Sequence, residues 1–166
     1  MGQYIDIRRA TLADAQAMAD YTLALVAEKL DTILLETPYS REDEERFLTE
    51  RMDTGVFVLA MDGARCVGIG DFTRGARSGN RHMVILGLGV LATYRSQGIG
   101  RRLMVRLIEE ARAMDGVCRV ELGVTPWNTP AIKLYESLGF VLEGVKKKGI
   151  NLRGSPEDDL LMGLTW

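Results

Sequence analysis

The stretch from His82 to Arg112 limits most what this chain can become. It opens with an apolar run, "HMVILGLGVL". A glycine turn follows, "RSQGIGRR", and then Ile99, Leu103, Leu107 and Ala111 recur on one helical face. Another strand-like run, "VCRVELGV", comes after the helix. Strand, helix, strand in this order is a βαβ unit, and a mostly apolar first strand belongs in the centre of a sheet. The chain is therefore expected to be a mixed α/β domain over residues 1–166.

The flanking segments fill in the order. "QYIDIRRA" alternates as a first strand. Thr11 and Asp14 form a capping box, and Leu12, Ala15, Ala19, Leu23, Val26 and Leu30 predict a helix over 12–30. Ser40 and Asp43 repeat the signal for a helix over 41–53. "GVFVLAMDGARCVGIGDFT" reads as a hairpin turning at Asp62-Gly63. "NTPAIKLYESLGF" is a short helix started by Thr129-Pro130 and stopped at Gly139. "FVLEGVKKK" and "DDLLMGLTW" close the chain as strands. The expected order is β-α-α-β-β-β-α-β-α-β-β, with no linker and no internal repeat.

Composition excludes several classes. The chain has 166 residues, a net charge of −2 and 46% hydrophobic residues. A nucleic-acid binder normally carries a basic excess, so no nucleic-acid partner is expected. No apolar stretch reaches the length of a membrane span. The N-terminus "MGQYIDIRRA" lacks a signal-peptide layout, and Asp6 stands where myristoylation needs Ser or Thr. Cys66 and Cys118 sit in apolar runs and are expected to be buried reduced thiols of a cytoplasmic protein. With His82 they form no metal-ligand spacing, so no metal is expected.

Two glycines and three arginines at a helix start suggest a bound phosphate. Free N–H groups and the helix dipole favour an anion there, and Gly98 and Gly100 let backbone approach it closely. A glycine-tolerant turn with surface arginines is the plain alternative. A P-loop would need Lys and Ser/Thr after the last glycine, where Arg101 and Arg102 stand. A dinucleotide fingerprint would fit Glu121 as its acid, but Leu103 replaces its third glycine.

A third pattern covers nearly the whole chain. Arg95, Gly98 and Gly100 match Arg/Gln-x-x-Gly-x-Gly/Ala, with Val90 five residues before it and Ala92 where Pro is frequent. Asn128, Ala131, Tyr135, Gly139 and Phe140 match a second motif, Asn-x-x-Ala-x-x-x-Tyr-x-x-x-Gly-Phe. In these residues the chain resembles the GNAT superfamily of N-acetyltransferases. Its tail resembles small bacterial members that acetylate amino acids, peptides or ribosomal-protein N-termini.

The resemblance implies a GNAT-like mixed sheet of about seven strands, with the fourth and fifth splayed apart. It implies acetyl-CoA as cosubstrate, with the pyrophosphate on the amides of Gln97, Gly98, Ile99, Gly100 and Arg101. The pantetheine arm would lie along the fourth strand by Leu88 and Val90 as an added strand. Gly87 and Gly89 would supply a bulge or a close backbone approach there. Asn128 and Ala131 open the following helix; Asn128 would bond the pantetheine or simply cap the helix. Tyr135 is the expected catalytic residue, a proton donor to the departing thiolate. The acceptor would be a small-molecule, amino-acid or peptide amine. Glu36, in the loop between the first two helices, is a candidate for binding it. The base is left open among Glu36, Glu121, His82 and water. A nucleotide-dependent oxidoreductase and a non-catalytic acyl-CoA-binding module are the competing readings. The assembly is open too, a homodimer being one compatible state.

Overall fold

A computed structural model describes residues 4–51 and 53–166. The first strand is β1 (Asp6–Arg9). A 3₁₀ turn over Leu12–Asp14 leads into α1 (Ala15–Ala27), and α2 follows (Arg41–Glu50). The hairpin is β2 (Gly55–Asp62) and β3 (Arg65–Arg74), turning at Gly63 with φ +58°. The middle unit is β4 (Met83–Val90), α3 (Ile99–Arg112) and β5 (Arg119–Val124). Helix α4 (Thr129–Ser137), β6 (Val141–Leu152) and β7 (Ser155–Thr165) complete the chain. Gln3 of the expected first strand and Met52 of the expected second helix lie outside the described residues.

The strands form one seven-stranded sheet in the order β1-β2-β3-β4-β5-β7-β6. Among the described residues only β4 and β5 run parallel, as the crossover through α3 requires. β4 is the middle strand, which explains why its sequence is apolar on both faces.

Alternation along the strands splits the core in two. Val58, Ala60, Phe72, Val84, Leu86, Val120 and Leu122 pack with α3 and α4. Leu59, Met61 and Cys66 pack with α1 and α2 on the other face. The predicted stripe of α3 is the buried one: Ile99, Leu103, Leu107 and Ala111 are all at most 2% exposed. Each large side chain so buried contributes about 1.5–3 kcal/mol.

Three expectations change. The buried face of α1 is Ala15, Met18, Ala19, Tyr21, Thr22 and Leu25, so Ala15 and Ala19 of the predicted stripe are buried, while Leu12 and Leu23 are 54% and 59% exposed. The predicted row keeps the helical period but lies to one side of the buried stripe, so only its Ala15 and Ala19 fall on the buried face. Cys118 is exposed and only Cys66 is buried, both as free thiols. Cys118 precedes β5, and its backbone joins His82 and Trp166. The tail strands also run on into a long hairpin that turns at Arg153 and Gly154, both at positive φ. Among the described residues, no helix is long and apolar enough to cross a membrane.

Candidate active site

β4 and β5 start together and then separate. Met83, Val84 and Ile85 pair with Arg119, Val120 and Glu121, and no further pair joins the two strands. From Leu86 and Leu122 onward, both strands turn unpaired backbone edges toward a gap. Backbone groups left unpaired in this way can be taken up by an extended ligand that enters the gap. The gap opens into a cleft of about 1080 Å³ that runs between the α3 start and the α1–α2 loop.

One end of the cleft is the turn before α3. Ser96 (φ +60°) and Gly98 (φ +78°) are left-handed, and the first helical bond runs from Arg102 N to Gly98 O at 3.1 Å. The amides of Ile99, Gly100 and Arg101 therefore precede the helical ladder. Arg95 donates through Nε to Val90 O (2.8 Å) and through its terminal nitrogen to Glu28 (2.7 Å), which fixes the turn to β4 and α1. The Arg101 side chain donates to Ser137 Oγ on α4 (2.9 Å). The Gln97 side chain bonds Thr93 O instead, so only its backbone is placed for the turn. Arg102 turns away to Ile5 O.

The middle of the cleft carries Tyr135. It is 7% exposed, lies in the α3–α4 core and lines the cleft. Burial pushes its phenol up to about 12, so it stays protonated at neutral pH. Asn128 caps α4 by accepting from Ala131 N at 3.4 Å, and both residues line the cleft together with Leu88 and Val90. Thr125, 4% exposed, has a hydroxyl without a hydrogen-bond partner among the described residues.

The far end is acidic. Glu44 is 2% exposed and burial, with the nearby charges of Asp43 and Asp71, pushes it up to about 7. Asp71 is pushed up to about 6 by burial, although Arg51 sits 3.2 Å away and opposes the shift. Arg51 itself lies over the rings of Phe47 and Phe57. Burial also raises Asp159, with Lys146 at 4.0 Å pulling the other way. Glu121 lines this end but is tied to Arg119 at 3.2 Å.

The two strand glycines act differently from the expectation. The β3–β4 register is unbroken from Gly68↔Val90 to Arg74↔Val84, so β4 has no bulge. What approaches is side chains. A Cβ on Gly87 would stand 3.1 Å from Asp71 Oδ1, and one on Gly89 would stand 2.5 Å from the Tyr21 hydroxyl.

Glu36 does not line the cleft, although its neighbours Leu34 and Leu35 do. Its carboxylate accepts from Arg153 N at 2.8 Å, pinning the loop to the β6–β7 turn beside a shallower hollow. His82 is exposed at the start of β4, away from the cleft. Tyr21, Glu44, Asp71 and Asp159 are the lining residues that sequence reasoning missed. Asp71 had one visible signal, a lone acid inside the apolar run "CVGIGDFT".

A parted parallel pair, a glycine turn on a helix start and a buried phenol between them define an acyltransferase architecture. Residues 25–140 match the model of the acetyltransferase (GNAT) family, and the chain belongs to that family. It is similar to an acetyltransferase of the GNAT family from Streptococcus pneumoniae, at 28% identity and TM-score 0.91, covering 98% of this chain and 100% of that one. It is similar to a ribosomal-protein-alanine N-acetyltransferase from Brucella melitensis, at 30% identity and TM-score 0.86, covering 97% and 99%. The N-alpha-acetyltransferase RimI of Mycobacterium tuberculosis is 33% identical over 99 residues, 60% of each protein. The chain spans about half the length of the curated relatives it matches.

Proposed function

We propose that this protein transfers an acetyl group from acetyl-CoA to the primary amine of a small molecule, amino acid or peptide, without a metal, in the cytoplasm. The carrying observation is the parting of β4 and β5 after Ile85 and Glu121, with the α3 turn at one end of the gap and acids at the other. An anionic pyrophosphate suits the amides of Gln97–Arg101. A pantetheine arm carries amide donors and acceptors, and it fits along the free edge of β4 near Leu88 and Val90 as an added strand. That pose brings the thioester to the middle of the gap, where Tyr135 donates a proton to the sulfur as the C–S bond breaks. The acidic end suits an acceptor that arrives as an ammonium. The names of two relatives agree with this reading, since they act on a ribosomal-protein alanine and on L-amino acids.

The test is thiol release from acetyl-CoA in the presence of amines, amino acids and peptides with free N-termini, with product masses read in parallel. Amine-dependent release with a matching acetylated product is expected. Tight CoA binding without transfer to any amine would mark a binding module and overturn the reading.

A further inference from the structure

Three polar side chains lean over three glycines around the gap, on the sheet face covered by α1 and α2. The Tyr21 hydroxyl stands over Gly89 and Asp71 Oδ1 over Gly87, both on β4. On the other flank, Cβ on Gly123 would stand 2.6 Å from Asp159 Oδ1 and 2.7 Å from Oδ2. The register explains the symmetry. Ile85 pairs with Glu121, so Gly87 and Gly123 come two residues further along each strand and face the same side. Asp71 reaches in from β3, opposite Gly87, and Asp159 reaches in from β7. Side chains on Gly87 or Gly123 would occupy the space that the carboxylates fill.

Two buried polar groups on this face suit a polar ligand. The Tyr21 hydroxyl, in a residue only 4% exposed, makes no hydrogen bond of good geometry among the described residues, its one weak partner being the Ile69 backbone. Glu44, 2% exposed, lines the same cleft, and burial raises its carboxyl. A buried hydroxyl is seldom left without a good hydrogen bond, because this costs about 1–3 kcal/mol.

Resting on the transfer reaction above, we propose that the acceptor's amino group sits over the gap between Asp71 and Asp159, and that Asp71 takes its proton. The amine gives up two protons in all. One goes from the ammonium to Asp71 and on to solvent, which frees the lone pair that attacks the thioester carbon. The N–C bond forms, the C–S bond breaks, and sulfur leaves with its electron pair and a proton from Tyr135. The second nitrogen proton replaces the one Tyr135 gave. Asp71 is the better placed of the two acids, because it stands over β4, the strand along which the thioester arm lies. Asp159 holds the ammonium from the β5 side.

The charged and titratable groups that share the cleft with Asp71 include Glu44 from α2, Arg51 just after it, Tyr21 from α1, Glu121 from β5, Lys146 from β6, Asp159 from β7 and Tyr135 from α4. Asp71, pushed up to about 6, must be ionised to act, so the transfer rate is expected to rise with pH through that region.

The experiment follows single-turnover transfer to whichever panel amine the wild type acetylates fastest, from pH 5 to 9, with acetyl-CoA affinity measured by calorimetry. Asp71→Asn is expected to slow transfer by about 10²–10⁴-fold and erase the rise near pH 6, leaving acetyl-CoA affinity unchanged. Asp159→Asn is expected to act mainly on the amine KM. Arg51→Met breaks the ion pair but keeps the carboxylate, so it is expected to retain transfer with the rise moved to higher pH. Asp71→Glu, which keeps an acid, is expected to recover part of the rate. The proposal fails if Asp71→Asn transfers at the wild-type rate. It fails equally if Arg51→Met and Asp71→Asn lose activity alike, which would make the pair structural. A wild type that binds acetyl-CoA but acetylates no amine would remove the transfer reading itself.

Discussion

Gly100→Glu separates the phosphate reading of the α3 turn from a purely structural one. Gly100 stands in the first turn of α3 in ordinary helical conformation. A Cβ there would meet Leu134 Cδ2 at 3.5 Å and Leu88 Cδ2 at 3.9 Å, both normal contacts. The fold therefore accepts a side chain. Leaving glycine in a helix gains about 0.5–1 kcal/mol, and an acid in the first turn adds about 0.3–1 kcal/mol from the dipole. Stability should hold or rise, by a few degrees in Tm for a chain of this size. The cosubstrate feels the opposite. A carboxylate about 5 Å from one pyrophosphate charge costs about 3 kcal/mol at an effective dielectric constant of about 20, a loss of about 100-fold in affinity. Gly100→Ala adds the Cβ without the charge and should bind CoA close to the wild-type level. The assay is calorimetry with CoA beside a melting scan on the same samples. A Gly100→Glu protein with unchanged Tm and unchanged CoA affinity would show that the pyrophosphate lies elsewhere.

Tyr135→Phe keeps the ring packing and removes the donor, so CoA affinity should survive while single-turnover transfer slows by about 10²–10⁴-fold. Asp14 is held down to about 2, first by the Arg8 hydrogen bonds and then by Thr11. A depressed acid stabilises the fold above its unfolded value and loses that contribution as pH falls through the folded one. Asp14→Asn should thus cost about 2 kcal/mol at pH 7, shrinking toward pH 2, in urea melts across pH. A thiol reagent should modify exposed Cys118 quickly and spare Cys66, whose thiol burial pushes up to about 12; equal rates would contradict this burial.

Element order and the two glycine-bearing motifs were legible because helix and strand periods and capping residues are local signals. Thr11 with Asp14, Ser40 with Asp43 and Asn128 with Ala131 all form the bonds that their spacing announces. The face of α1 was misjudged by one row, and with it Tyr21 was lost from view. The acids over the gap were illegible for a deeper reason. Asp71 matters because it opposes Gly87, and Asp159 because it overlies Gly123. Cross-strand register sets both, and a slip of one residue would send each side chain to the other face. Glu36 looked suited to an amine by charge and loop position alone. The long β6–β7 hairpin, which the sequence broke at "GINLRGSPE", supplies the Arg153 N–H that engages it.

In the proposed reaction the gap between β4 and β5 receives the arm of acetyl-CoA while the α3 start receives its pyrophosphate. Amide hydrogen exchange with and without CoA tests it residue by residue. Slowed exchange is expected at Ile99, Gly100 and Arg101 and at those amides of Leu86–Val90 that face the gap, with the β1–β2 edge unchanged. Protection at the α3 start with none along β4 would contradict it, because the anion site would then stand apart from the strand that is meant to carry the thioester.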